Sequence, residues 1–144
     1  MKTIALRFGE TFAPECGTIA AHQEIIDKNG FVWYGKIGAK VAYNAIEELL
    51  KSDNPRILLI NSGKADRYWA YISEVIFERP ASNEYPSYYE EKTDRMKTWF
   101  KVISFEAASR DILKKCTVTS SGSTLSEASK HSMSPYFKIE YTEG

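Results

Sequence analysis

Hydrophobic and polar positions change period several times along the chain, and each change predicts an element. Thr3 to Phe8 alternates with period two and is β-branched enough for a strand, closed by Gly9. After a loop marked by Pro14 and Gly17, Ile19, His22, Ile25 and Ile26 recur at spacings of three, four and seven. That spacing predicts one side of a helix from Thr18 to Lys28, stopped by Asn29-Gly30 in left-handed geometry. Phe31 to Lys36 reads as extended, with Gly35 and Gly38 leaving its tip free to approach a ligand. The clearest helix runs from Ala39 to Ser52 on a stripe of Val41, Ala42, Ala45, Ile46, Leu49 and Leu50, and Asp53-Asn54-Pro55 ends it.

Arg56 to Ile60 is an apolar run of buried-strand length, with a turn at Asn61-Ser62-Gly63-Lys64. Tyr68 to Glu78 alternates with apolar groups on both sides, as in a closed or wrapped sheet. Pro80 to Lys92 reads as an irregular excursion carrying Tyr85, Tyr88 and Tyr89. Lys97 to Phe105 is another strand, and Ser109 caps a short helix through Ile112 and Leu113. The Ser-rich stretch from Thr117 to Ser134 reads as flexible or turn-like, with a short helix at Leu125 to Lys130. Tyr136 to Tyr141 is a terminal strand.

Composition narrows the function classes. At 144 residues the chain has the size of one domain, 1–144, with enough length to bury a core without disulfide staples. Its 19 basic residues cancel its 19 acidic ones, so overall charge does not grip polyanions and any basic surface is local. Arg7 follows the N-terminus too soon for a secretory segment, and no apolar run reaches the roughly 18 residues of a membrane helix, so a soluble cytoplasmic protein is expected. Cys16 and Cys116 form neither a disulfide framework nor, with His22 and His131, a compact zinc motif; no metal or cofactor is expected. His22 shares a helical stripe with Ile19 and Ile26 and reads as a hydrogen-bonded, partly buried imidazole. Ser120-Ser121-Gly122-Ser123 reads as a plain loop in preference to an anion-binding nest.

Aromatics stand out, with nine Tyr, seven Phe and three Trp. The run Gly30-Phe31-Val32-Trp33 resembles the glycine, apolar residue and tryptophan by which PUA-like domains of the YTH and EVE branches enter their pocket, here with one extra residue in the gap. Ile57 to Gly63 followed by Trp69-Ala70-Tyr71-Ile72 is similar to their central hairpin, and Lys97-Thr98-Trp99-Phe100-Lys101-Val102 to their next strand. The resemblance spans roughly Gly30 to Glu106. It implies an α/β (α+β) fold with a bent mixed sheet or pseudo-barrel flanked by helices. It also implies a cage of aromatic side chains that holds one flipped, modified base of DNA or RNA, with Trp33 as a wall and Trp99 in a matching role. Two departures are Tyr34, where YTH domains have a small hydroxyl residue, and the neutral charge.

On that reading the base-binding residues are Trp33, Tyr34, Asn61, Ser62, Trp69, Tyr71 and Trp99, and Lys36, Lys40, Lys64 and Arg67 contact phosphates. Stacking on one ring contributes about 1–3 kcal/mol per base without selecting among bases, so selection needs a second wall and a polar edge contact. The expected partner is DNA or RNA containing a modified base, with no catalysis required and a separate nuclease as an effector that the sequence leaves open. A rival reading is a small nucleoside or nucleotide amidohydrolase in which Lys36 or Lys40 converges with Glu74. A third is a phage-defence component that docks protein through the loop from Tyr85 to Tyr89.

Overall fold

The computed structural model describes residues 1–61, 66–132 and 134–142. Its elements are β1 (Lys2–Phe8), α1 (Thr18–Asn29), β2 (Val32–Ile37), α2 (Tyr43–Leu50), β3 (Arg56–Asn61), β4 (Arg67–Ile76), β5 (Met96–Ala107), β6 (Cys116–Val118), α3 (Leu125–His131) and β7 (Tyr136–Tyr141). Short 3-10 turns lie at Ser82–Glu84, Ser87–Arg95 and Ile112–Lys114. The chain divides into two compact units. The first is Met1–Phe8, Tyr43–Trp69 and Glu106–Gly144, and the second is Gly9–Ala42 and Ala70–Phe105.

In the first unit β1 runs parallel to β3, with Ala5 opposite Leu58, and antiparallel to β7, with Ala5 opposite Phe137. β7 in turn pairs with β6, so the strand order here is β4-β3-β1-β7-β6. The alternation in β1 does not produce one wet face: Thr3 to Leu6 are all buried, as befits a strand with both side-chain faces covered. Helix α2 packs on β1 through Ala45, Ile46 and Leu49. It is shorter than the stripe from Ala39 predicts.

The second unit holds α1, β2, β5 and the later part of β4, in the order β2-β5-β4. Its Val41 N–H donates to Thr98 Oγ1 at 3.0 Å, which spends Val41 on β5 and leaves the helix to begin two residues later. Helix α1 takes its first-turn partner from a distance, because the Glu10 carboxylate accepts from the Thr18 N–H at 3.1 Å. Gly30 closes it at φ 86° with its N–H on the Ile26 carbonyl, as the sequence predicts. β2 and β5 are antiparallel, with Gly35 opposite Trp99 and a register irregularity at Lys36/Ile37.

The fold is therefore mixed α+β, and in neither unit does the strand order return to its first member, so the sheet is open. Two expectations change: the excursion after Pro80 is ordered as 3-10 turns, and β6 runs into the start of the Ser-rich stretch. The short helix expected at Leu125 to Lys130 is present as α3, with Thr124 Oγ1 accepting from the Glu127 N–H at 3.2 Å. The turn expected at Asn61-Ser62-Gly63-Lys64 falls largely outside the described residues. No helix among the described residues is long and apolar enough to cross a membrane.

Candidate nucleic-acid interface

Strand β2 sorts the predicted residues by parity, because successive side chains point to opposite faces. Trp33, Gly35 and Ile37 share one face; Val32, Tyr34 and Lys36 share the other. On the first face Trp33 joins a buried cluster with Tyr85, Tyr89, Met96 and Trp99, and Phe31, Ile76 and Tyr88 pack against it. Trp33 is 5% exposed and Trp99 fully enclosed. The cover comes from the stretch of 3-10 turns: Tyr85 lies 5.4 Å from Trp99 and 6.0 Å from Tyr89, ring centre to ring centre.

Burying rings that carry polar atoms is costly unless each atom finds a partner, and here they do. Trp33 Nε1 donates to Glu84 Oε1 at 3.1 Å, Trp99 Nε1 to the Met96 carbonyl at 3.2 Å, and the Tyr85 hydroxyl to Glu90 Oε1 at 2.8 Å. Gly35 is glycine for a packing reason. A Cβ there would run into Met96 Sδ and come within 3.0 Å of Trp99 Cζ3. The close approach that the sequence suggested for a ligand is made by the protein's own side chains. At the margin, Lys101 Nζ sits 4.4 Å from the centre of the half-buried Phe31 ring and 6.0 Å from that of Trp33.

On the opposite face the Tyr34 ring lies 5.1 Å from that of His22. His22 is fully buried. Its Nδ1 is 2.8 Å from the Thr18 carbonyl oxygen, which can only accept, so Nδ1 carries the proton and Nε2 accepts from the Tyr89 hydroxyl at 2.7 Å. A hydrogen bond with the Gly35 backbone ties the same hydroxyl to β2. Burial lowers the His22 pKa to about 4, against a partial rise from the Thr18 carbonyl, so the imidazole is neutral with both nitrogens engaged. That is a structural role, more deeply buried than its helical stripe predicted. Burial likewise pushes the Tyr34 and Tyr89 phenols up.

The remaining predicted residues divide between the units. Trp69 and Asn61 belong to the first. Trp69 is buried 5.1 Å from Tyr141, and the Arg56 guanidinium carbon lies 4.8 Å from its ring centre. Asn61 is buried at the end of β3, its N–H on the Asp66 carbonyl at 3.1 Å. Arg67 donates to the Arg110 carbonyl at 3.1 Å. Ser62 and Lys64 lie outside the described residues. In the second unit Tyr71 is half-buried on β4, and Lys40 is exposed with its ammonium 5.5 Å from the Phe77 ring centre. Lys36 is buried, donating to the Ala39 carbonyl at 2.9 Å and the Ile37 carbonyl at 3.3 Å, and burial lowers its pKa.

Sequence reasoning missed the partners that make the site what it is, namely Glu84, Met96 and Lys101. It also missed Phe12, whose ring is 64% exposed with Lys92 Nζ 3.5 Å from its centre. Among the described residues no group of three His, Cys, Asp or Glu side chains is placed to hold a metal; Cys16 is exposed and Cys116 buried. A family model described as Pua-like matches residues 4–139. No curated protein and no solved structure matches the chain.

Proposed function

From the premise that the chain belongs to the PUA-like family, whose domains typically bind RNA or other nucleic acids, we propose that it is a nucleic-acid-binding module whose base contact is made on the Trp33 face of the second unit. The observation that carries this reading is the aromatic cluster of Trp33, Tyr85, Tyr89 and Trp99, to which the segment of 3-10 turns contributes its tyrosines, flanked by Lys101 over Phe31. In the closed arrangement Trp33 offers no open stacking surface. Entry of a base requires the Pro80–Arg95 segment to draw back, with the indoles of Trp33 and Trp99 as the walls it uncovers. A methylated or otherwise enlarged base gains from such a slot by about 0.8 kcal/mol per methylene-sized group.

Tyr34 projects from the other face of β2 and takes no part in this slot. The phosphate contacts fall to lysines of the second unit, the exposed Lys40 with the half-buried Lys92 and Lys101, because Lys36 spends its donors on its own loop. The neutral charge then predicts few phosphate contacts and a shallow salt slope.

The amidohydrolase reading loses support in the form that pairs Lys36 with Glu74. Ile76 packs against the Trp33 cluster, so Glu74 two residues earlier shares that face, whereas Lys36 projects from the opposite one. The protein-docking reading loses material as well, since Tyr85 and Tyr89 point inward.

The test is fluorescence anisotropy with short DNA and RNA oligonucleotides carrying plain and methylated A and C at two salt concentrations. Binding with a shallow salt slope, a preference for the modified base and a loss of roughly fivefold or more in Trp33→Phe is expected, given about 1–3 kcal/mol per stacked base. Absence of binding to every oligonucleotide overturns the reading.

A further inference from the structure

The first unit holds a cleft of about 470 Å³ among Val118, Ser120, Ser121, Ser132, Ser134 and Lys138, with Tyr136 and Phe137 at its side. Its hydrogen-bonding balance is lopsided. Ser121 Oγ accepts from the Ser123 N–H at 3.3 Å and Ser132 Oγ from the Ser134 N–H at 3.2 Å, which uses lone pairs and leaves each hydroxyl hydrogen free to donate. The Ser120 hydroxyl and the Lys138 ammonium have no partner among the described residues. Lys138 is the sole charged residue lining the cleft, and no carboxylate lines it.

The frame around these donors is fixed from behind. Arg7 Nη2 donates to the Ser129 and Ser132 carbonyls at 2.7 and 2.8 Å, and its Nε to the Ser134 carbonyl at 3.2 Å. Thr119 is held by two bonds to the Lys138 carbonyl, and the Gly122 N–H bonds the Val118 carbonyl. A concave site with several hydroxyl donors, one ammonium and no acid is complementary to an oxyanion.

We propose that this cleft binds a phosphate group, carried either by a free phosphomonoester or by a nucleic-acid strand. The site lies wholly in the first unit and does not rest on the base-binding reading of Trp33. Ser120, Ser121 and Ser132 donate to its oxygens and Lys138 supplies the counter-charge, whereas Ser134 spends its hydroxyl hydrogen on the Tyr136 carbonyl at 2.7 Å. Its volume leaves room for the group that bears the phosphate.

The test is an amide-resolved NMR titration of the full chain with inorganic phosphate, a nucleoside 5′-monophosphate and a short oligonucleotide with 5′-hydroxyl ends, against sodium chloride at matched ionic strength. Saturable shifts at Ser120, Ser121 and Lys138 are expected. Lys138→Gln should raise the half-saturating concentration about tenfold and Ser120→Ala a few-fold, as charge-assisted and neutral hydrogen bonds differ. Shifts from phosphate and monophosphate alone identify a free phosphomonoester as the ligand; shifts from the oligonucleotide as well identify the strand. Shifts that chloride reproduces, that never saturate, or that persist unchanged in both variants overturn the proposal. Lys138 enters the sheet through its backbone and Ser120 is exposed, so both variants keep the fold.

Discussion

The first unit packs aliphatic side chains, Ile4, Leu6, Leu58 and Ile139 among them, whereas the second packs rings around Trp33 and Trp99. Aliphatic groups ask only to be removed from water, so that packing is governed by area and shape. Rings with indole N–H or phenol O–H also ask for partners, and the second unit meets the demand with Glu84, Glu90, the Met96 carbonyl and His22. The two tryptophan environments differ in the same sense. Trp69 in the first unit is packed against a guanidinium on strands, while Trp33 in the second is covered by a segment of 3-10 turns.

The largest test of this contrast is Trp99→Ala, which empties an enclosed ring and is expected to cost about 3–5 kcal/mol in urea unfolding. Hydrogen exchange should show the lost protection first at β2, β5 and the tyrosine segment. Trp33→Ala belongs to the same range, so binding experiments need Trp33→Phe.

Next in size is the pH response of His22. Its folded pKa of about 4 lies below the 6.5 of the unfolded chain, so the folded state binds fewer protons between these values. Stability is therefore full above pH 6.5 and declines as pH falls toward 4, by about 3 kcal/mol for this one group. His22→Gln should flatten the unfolding free energy between pH 6.5 and 5; an unchanged slope would show that the imidazole is not sealed.

Gly35→Ala should cost about 1–3 kcal/mol by overpacking Met96 and Trp99, read as a lower midpoint in denaturant at unchanged slope. Lys92→Gln removes the contact with the exposed Phe12 and is expected to cost no more than about 0.5–1 kcal/mol, fading with salt.

Local pattern alone determined much of this chain. β1, α1 with its stop at Gly30, β5 and β7 follow from period and from glycine's freedom at positive φ, because those causes act within a few residues. The N-cap at Thr124, which starts the helix expected at Leu125, was equally local. The tryptophan run after Gly30 likewise pointed to the PUA-like family.

Only the tertiary structure decided which rings would be covered and which donors would be free. Val41 is taken from α2 by Thr98, 57 residues away. The distant Glu84 and Tyr85 close the Trp33 face, and Arg7 braces the serine cleft from more than 120 residues off. Burial and hydrogen-bond saturation depend on what arrives from elsewhere in the chain, and periodicity carries no record of it.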